Sequence, residues 1–191
     1  MKRLLLVLLI FTGSGTLIWQ FIHTSATQPI PAPTQTLEWF GEHVRLTEMT
    51  AEGNPKQILM ARNVKHYTPD NITDLTDVTL EIMPTKAEDK PWQLSSDKGR
   101  LFHGENTQDI TRIDLWHNVV LLQPASHTQS AATIKTSTLA IFPETEYAHT
   151  DQYTSVFQVG QHLEGQGMEI FFAEQTFHLL GQVSSAHETV Q

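Results

Sequence analysis

Apolar and polar side chains alternate along short segments of the chain from Leu37 onward. In the segment 92–97, Trp92 and Leu94 fall on one face of an extended chain, and three polar residues fall on the other. The same alternation recurs at 112–115, 133–135 and 177–179. Such half-apolar segments predict strands of an antiparallel sheet with one covered face. Because no helical periodicity follows Leu37, the predicted fold class is all-β.

Two segments are apolar on both faces of a predicted strand. They are Val119 to Leu122 and Ile170 to Phe172. One interpretation is a pair of strands buried between sheets. The other is a strand face that lines a groove for an acyl chain, since ligand sites are concave and mostly apolar. The pattern alone leaves both interpretations open.

Polar dipeptides and glycines mark the predicted turns. Turns are expected at 70–71, 98–99, 103–106 and 123–124, where Asp, Asn, Gly or Pro cluster. Gly165 and Gly167 flank a single glutamine without the third glycine or the lysine of a phosphate-binding loop. We interpret these two glycines as a structural turn or bulge.

The segment from Leu4 to Ile22 contains 19 residues without a charge, directly after Lys2 and Arg3. This length matches the hydrocarbon core of a bilayer, and the preceding positive charge predicts a cytoplasmic N-terminus at residues 1–3. We therefore predict a transmembrane anchor at 4–22. The alternative is a cleavable signal peptide with its cleavage point near Ala26.

The remaining chain divides into a tether, one domain and a tail. Residues 23–37 are rich in Pro, Thr, Ser and Gln, which predicts an extended tether between the membrane and the domain. Residues 38–187 are long enough for one domain with a real core, and residues 188–191 form a short tail.

Composition excludes several classes of protein. The chain has no cysteine, so disulfides and thiolate metal sites are excluded. The formal net charge of −9 disfavours a nucleic-acid partner. The ten histidines are scattered without a metal-binding spacing, and no nucleophile elbow occurs outside the apolar run. We accordingly predict no metal, no cofactor and no catalytic residues, so the protein is not expected to be an enzyme.

Several loose motifs follow one another along the chain in a specific order: Trp92 to Gly99, Ile113 to Val119, Ile134 to Ile141, Ala148 to Asp151, Gly165 to Met168, and Leu180 to Val183. In this order, and with the apolar run before them, they resemble the LptC family of lipopolysaccharide export proteins from the anchor to about Ala186. One departure is His117, where the family tends to have glycine before Asn-Val.

The resemblance implies an open antiparallel β-jelly roll of the kind shared with LptA, preceded by one N-terminal transmembrane helix. It further implies a single-pass inner-membrane protein whose β domain lies in the periplasm. Its partners would be lipopolysaccharide, the LptF and LptG subunits of the ABC transporter that contains LptB, and LptA. The lipid would pass from the transporter through an apolar groove to LptA.

The resemblance and the alternating faces together suggest site residues. The predicted lipid contacts are Leu59, Leu94, Ile113, Leu115, Val119, Leu121, Ile134, Leu139, Ile141 and Phe172. Strands near Glu38–Leu46 would face LptF, and strands at about Phe177–Ala186 would face LptA. The predicted contacts at the LptA edge are Phe177, Leu179, Gly181 and Val183.

Two other functions remain as alternatives. One is a soluble LptA-like bridge protein in the periplasm, released from a cleaved signal peptide. The other is a structural β assembly module that uses its sheet edges without binding lipid.

Overall fold

The computed structural model describes residues 35–84, 90–105, 109–125 and 130–187, with side chains as far as Ser185. The predicted anchor at 4–22, the tail at 188–191 and most of the tether lie outside these ranges. Within them, no helix has the length and apolar character needed to cross a membrane.

Nine strands form the described part of the chain. They are β1 (Thr36–Met49), β2 (Pro55–Thr68), β3 (Ile72–Ile82), β4 (Trp92–His103), β5 (Ile110–Gln123), β6 (Ala132–Phe142), β7 (Tyr147–Gln158), β8 (Gln161–Phe171) and β9 (Thr176–His187). The predicted all-β fold class is confirmed. β1 begins at Thr36, so the first strand includes the last two residues assigned to the tether.

The strands follow one another across a single antiparallel sheet in the order β1 to β9. Each inner strand pairs with the strands before and after it in sequence. In the described ranges, β1 pairs only with β2 and β9 pairs only with β8. The sheet is therefore open, with one unpaired edge at each end.

The alternation of apolar and polar residues along each strand produces one buried face of the sheet. In β4, Trp92 and Leu94 are buried while Gln93 and Ser95 are exposed, as their pattern predicts. Equivalent positions on β2 to β8 join one continuous apolar cluster, which also includes Phe172. We call this cluster the apolar interior. Because successive side chains point to opposite faces, the other face of the same strands carries the polar residues.

The turn predicted at Lys98-Gly99 is wrong. Both residues lie inside β4, where Lys98 pairs with Trp116 and Gly99 with Leu115. The irregularity is a bulge in the paired strand β5. Between the pairs Ser95–Val120 and Lys98–Trp116, β5 has one residue more than β4. There His117 has a φ of 62°, a left-handed conformation that glycine adopts at little cost.

The turn interpretation of Gly165 and Gly167 is also wrong, because both glycines lie inside β8. Their surroundings are irregular, as the bulge alternative anticipated. Gly167 has a φ of 79° and lies opposite a register shift in β7 between Thr150 and Tyr153. A Cβ on Gly165 would lie 3.2 Å from the carbonyl oxygen of Gly181 in β9. The glycines therefore permit close approach of neighbouring strands within the sheet.

A small group of contacts, which we call the seam, joins the two halves of the sheet across the apolar interior. The Trp92 and Phe172 rings meet edge to face with centroids 5.6 Å apart. Two hydrogen bonds flank them: Lys56 Nζ donates to the Pro143 carbonyl (3.1 Å), and Gln123 Nε2 donates to the Gln175 carbonyl (2.6 Å). The sheet thus curls until residues distant in sequence touch.

Candidate functional site

The sheet brings all ten predicted lipid contacts together in the apolar interior. They come from β2, β4, β5 and β6 and from the residue after β8. Their exposed fractions run from 0% to 3%: Leu59, Leu94, Ile113, Leu115, Val119, Leu121, Ile134, Leu139, Ile141 and Phe172. Contact with lipid stays a prediction, whereas their mutual proximity follows from the shared face.

These side chains pack against one another in the apolar interior. Leu115 and Leu139 also border an open depression of about 320 Å³, which is lined as well by the polar residues Arg112, Asp114 and His149. A cavity beside Gln57, Ile141 and Phe172 measures only about 10 Å³, barely enough for one water molecule. An acyl chain could reach the interior only if the halves of the sheet move apart. Because packing of this kind contributes about 25 cal/mol per Å² of apolar surface, an acyl chain must replace the contacts that it displaces.

The outer face of the central strands carries two arginine–aspartate ion pairs. Arg100 Nε donates to Asp74 Oδ1 at 2.6 Å, and Arg112 Nε donates to Asp114 Oδ1 at 2.7 Å. The hydrogen bond to the carboxylate raises the pKa of each guanidinium above its ordinary value. A face with balanced charges does not attract a lipid tail, so the covered face is the better candidate.

The first edge strand exposes much more apolar surface than the inner strands. In β1, Phe40 is 71% exposed, and Leu37, Trp39, Leu46 and Met49 are also exposed. The free side of β1 adds unpaired backbone N–H and C=O groups. Apolar side chains beside an open ladder are what a partner strand needs for pairing.

Trp39 connects β1 to a buried polar cluster. Its ring stacks on His66 with centroids 5.2 Å apart, and His66 is 1% exposed. Thr73 Oγ1 lies 2.8 Å from both His66 Nδ1 and His103 Nε2, so its hydroxyl bridges the two imidazoles. The cluster fixes one end of β1 to β2 and leaves the rest of its apolar surface open.

The second edge strand is divided between the interior and the solvent. Of the predicted contacts, Phe177 and Leu179 pack against the apolar interior, whereas Val183 is 55% exposed. Gly181 is half-buried and pairs with Gln166. Leu180 was not among the predicted contacts, but it is 56% exposed and its side chain is larger than that of Val183. Because Leu180 lies between the inward-facing Leu179 and Gly181, the alternation along β9 could have predicted its outward position.

The polar side chains at one end of the interior were not predicted from the sequence. Gln57, Trp92 and Gln123 are 6%, 0% and 3% exposed, and they lie near Ile82 and Ala132 on neighbouring strands. We call this set the terminal row. Gln57 lies near the start of β2 and Gln123 ends β5. At such positions the sequence carries no signal that separates a buried glutamine from an exposed one.

Comparisons with known proteins identify one family and one solved structure with a similar fold. The model of the family described as lipopolysaccharide-assembly, LptC-related, matches residues 5–188. The structure resembles LptH, the LptA-homologous periplasmic component of the lipopolysaccharide transport device of Pseudomonas aeruginosa. The TM-score is 0.51 at 11% identity, covering 70% of this chain and 95% of that one, so the likeness concerns the fold. No curated protein sequence matches significantly.

Proposed function

Because the chain belongs to the LptC family of lipopolysaccharide-assembly proteins, we propose that it is the membrane-anchored conduit of the lipopolysaccharide transport bridge. The family and the LptA-like fold support a role in that bridge. The observation that carries the finer proposal is the continuous apolar interior, which extends from β2 to the end of β8 and lies between two unpaired edges.

The apolar interior suits the acyl chains of lipopolysaccharide. Leu, Ile and Val side chains offer burial without directional bonds, so an acyl chain can slide along them at little cost per step. The sugar and phosphate groups would stay in water, where the net charge of −9 does not exclude them. Transfer then needs a route between proteins but no chemical step.

Access to the interior would occur by opening the seam. The aromatic pair and the neutral hydrogen bond of Gln123 are each worth about 0.5–1.5 kcal/mol, and the hydrogen bond of the charged Lys56 is worth about 1.5–3 kcal/mol. Burial of a single methylene contributes about 0.8 kcal/mol. The methylenes of one acyl chain can therefore offset the loss of these three contacts, whereas the closed state protects the interior when no lipid is bound.

The two edges would join the neighbouring proteins by strand addition. We assign β1 to the LptF and LptG subunits of the transporter that contains LptB, and β9 to LptA. Exposed apolar residues on each edge support this assignment, including Phe40 on β1 and Leu180 on β9. Pairing at both ends would extend one sheet through successive proteins and align their interiors.

The predicted anchor at 4–22 would keep the first edge beside the inner membrane. Mass spectrometry of the mature chain tests this part of the proposal. An intact N-terminal segment is expected, with the protein in the inner-membrane fraction. Cleavage near Ala26 would contradict the anchor and favour the soluble LptA-like bridge protein.

Photo-crosslinking in cells tests the conduit itself. A photoreactive residue at Leu121, which is fully buried, should form an adduct with lipopolysaccharide. The neighbouring Leu122 is 43% exposed on the opposite face and is the matched control, for which no adduct is expected. If Leu121, Leu139 and Phe172 all fail to crosslink, the conduit is wrong, and the structural assembly module becomes the better account.

A further inference from the structure

The terminal row differs in chemistry from the rest of the apolar interior. Gln57 pairs across the sheet with Ile82, which in turn pairs with Trp92, and Gln123 pairs with Ala132. Two amides and one indole therefore occupy inward positions in one row across the sheet, on β2, β4 and β5, with Ile82 of β3 between Gln57 and Trp92. The seam lies against this row, since Trp92 and Gln123 belong to both.

One buried donor of the row, the indole N–H of Trp92, has no hydrogen-bond acceptor among the described residues. Gln57 Nε2 donates to Glu48 Oε2 at 2.6 Å, and Gln123 Nε2 donates to the carbonyl of Gln175 at 2.6 Å. The Trp92 side chain is fully buried, yet its Nε1–H finds no hydrogen-bond acceptor among the described residues. Buried donors without acceptors are rare in native proteins, and each requires an explanation.

We propose that the terminal row is the polar end of the lipid site, where Trp92 Nε1–H donates to a carbonyl oxygen of an acyl linkage. This inference rests on the proposed function and deepens it. An acylated sugar changes from apolar to polar at its ester and amide linkages, and the interior changes in the same way at this row. The indole is only a donor and an ester carbonyl is only an acceptor, so the two are complementary.

The charges beside the row favour a neutral acceptor over a phosphate. Lys56 Nζ lies 3.3 Å from Glu48 Oε1 and also donates to the Pro143 carbonyl. The positive charge of Lys56, which is adjacent to Gln57 in sequence, is therefore already balanced. A phosphate would require an additional cation, whereas a carbonyl oxygen requires only the indole N–H.

Phe172 connects this contact to the opening of the seam. Its ring meets that of Trp92 edge to face, at an interplanar angle of 83°. Separation of the two rings would uncover the indole at the place where acyl chains enter. The same movement would therefore open the interior and present the donor.

The test compares two synthetic probes on the full-length protein in detergent. Both are glucosamines with identical alkyl chains, attached in one by ester linkages and in the other by ethers that lack the carbonyl. Trp92→Phe should weaken binding of the ester probe about three- to tenfold, the range for one hydrogen bond, and leave binding of the ether probe unchanged. Trp116→Phe, on the outer face, is the matched control and should change neither.

The other outcomes would overturn the inference in distinguishable ways. Equal loss for both probes would mean that Trp92 acts only by its shape. Unchanged binding with a lower melting temperature would mean that Nε1–H donates to the Phe172 ring. If the unmodified protein binds neither the ester probe nor lipopolysaccharide, the proposed function itself fails.

A second measurement needs no substitution and covers the case in which Trp92→Phe unfolds. With ¹⁵N-labelled indoles, both probes should shift the Trp92 N–H resonance because both separate it from the Phe172 ring, but only the ester probe should add the further downfield shift of a hydrogen bond. The same response to both probes would overturn the inference.

Discussion

The strands β1 and β5 have the same length of 14 residues and similarly apolar sequences, but their burial differs completely. In β5, Ile113, Leu115 and Leu121 are almost inaccessible, whereas five apolar residues of β1 are exposed and only Val44 packs against the interior. β5 has a strand on each side and faces the interior, while β1 has one neighbour. Position in the sheet therefore decides whether an apolar residue stabilises the fold or remains available to a partner.

The largest expected effect separates these two strands directly. Leu121→Ala should lower the free energy of unfolding by about 2–5 kcal/mol, because it leaves a cavity in the packed interior. Leu46→Ala in β1, where the side chain is 42% exposed, is the matched control and should cost much less. Urea unfolding followed by circular dichroism measures both variants. Equal losses would mean that β1 contributes to the core.

The next effect concerns strand geometry rather than side-chain burial. Gly167 and Gly53 both have positive φ, so Ala at either position should cost about 1–2 kcal/mol. At Gly167 a Cβ would also lie 3.3 Å from Leu180 and 3.4 Å from the Thr150 carbonyl, whereas at Gly53 it would meet open space. Gly167→Ala should therefore show the lower melting temperature. The reverse order would contradict the close strand approach in β8.

A smaller effect is expected on the outer face of an inner strand. Tyr147 donates to Glu169 at 2.9 Å, and its partial burial, followed by that hydrogen bond, raises the pKa of the phenol. The unfolded chain then loses this proton first, so stability falls as the pH rises above about 10. Thermal unfolding between pH 8 and 11 should show a shallower decline for Tyr147→Phe than for the unmodified protein. Identical declines would contradict the shifted pKa.

The smallest effect on stability should accompany a large effect on docking. Phe40→Glu and Leu180→Glu alter exposed residues on opposite edges and should change the free energy of unfolding by less than about 0.5 kcal/mol. Phe40→Glu should reduce co-purification with the LptB, LptF and LptG transporter, and Leu180→Glu should reduce binding to LptA. Each variant is the control for the other. Exchanged losses would mean that the polarity of the bridge is reversed.

Much of the fold could be predicted because alternation is a local property. The inward positions of Leu94 and Ile113 follow from their spacing, and every further strand repeats the rule. The bulge around His117 could not be predicted, because it depends on how β5 aligns with β4. Lys98-Gly99 was misread for the same reason, since the dipeptide has turn composition but lies in a paired strand.

The candidate site was predictable only in part, for a related reason. The ten apolar residues were found because each belongs to an alternating face. The terminal row was not found because Gln57, Trp92 and Gln123 meet only through the register of five strands and the curling of the sheet. The exposure of β1 likewise depends on the absence of a strand beyond it in the described sheet.

The strand order β1 to β9 also has a consequence for how the protein reaches its native state. Every ladder joins consecutive strands, so each hairpin can form as soon as its second strand is available. Such local pairing favours rapid folding and limits the time for which a growing edge is exposed to aggregation. The seam is different, because the contact between Trp92 and Phe172 joins residues that are 80 positions apart in the sequence. Closure of the seam should therefore be among the last folding events, after the meander has been built from its N-terminal end.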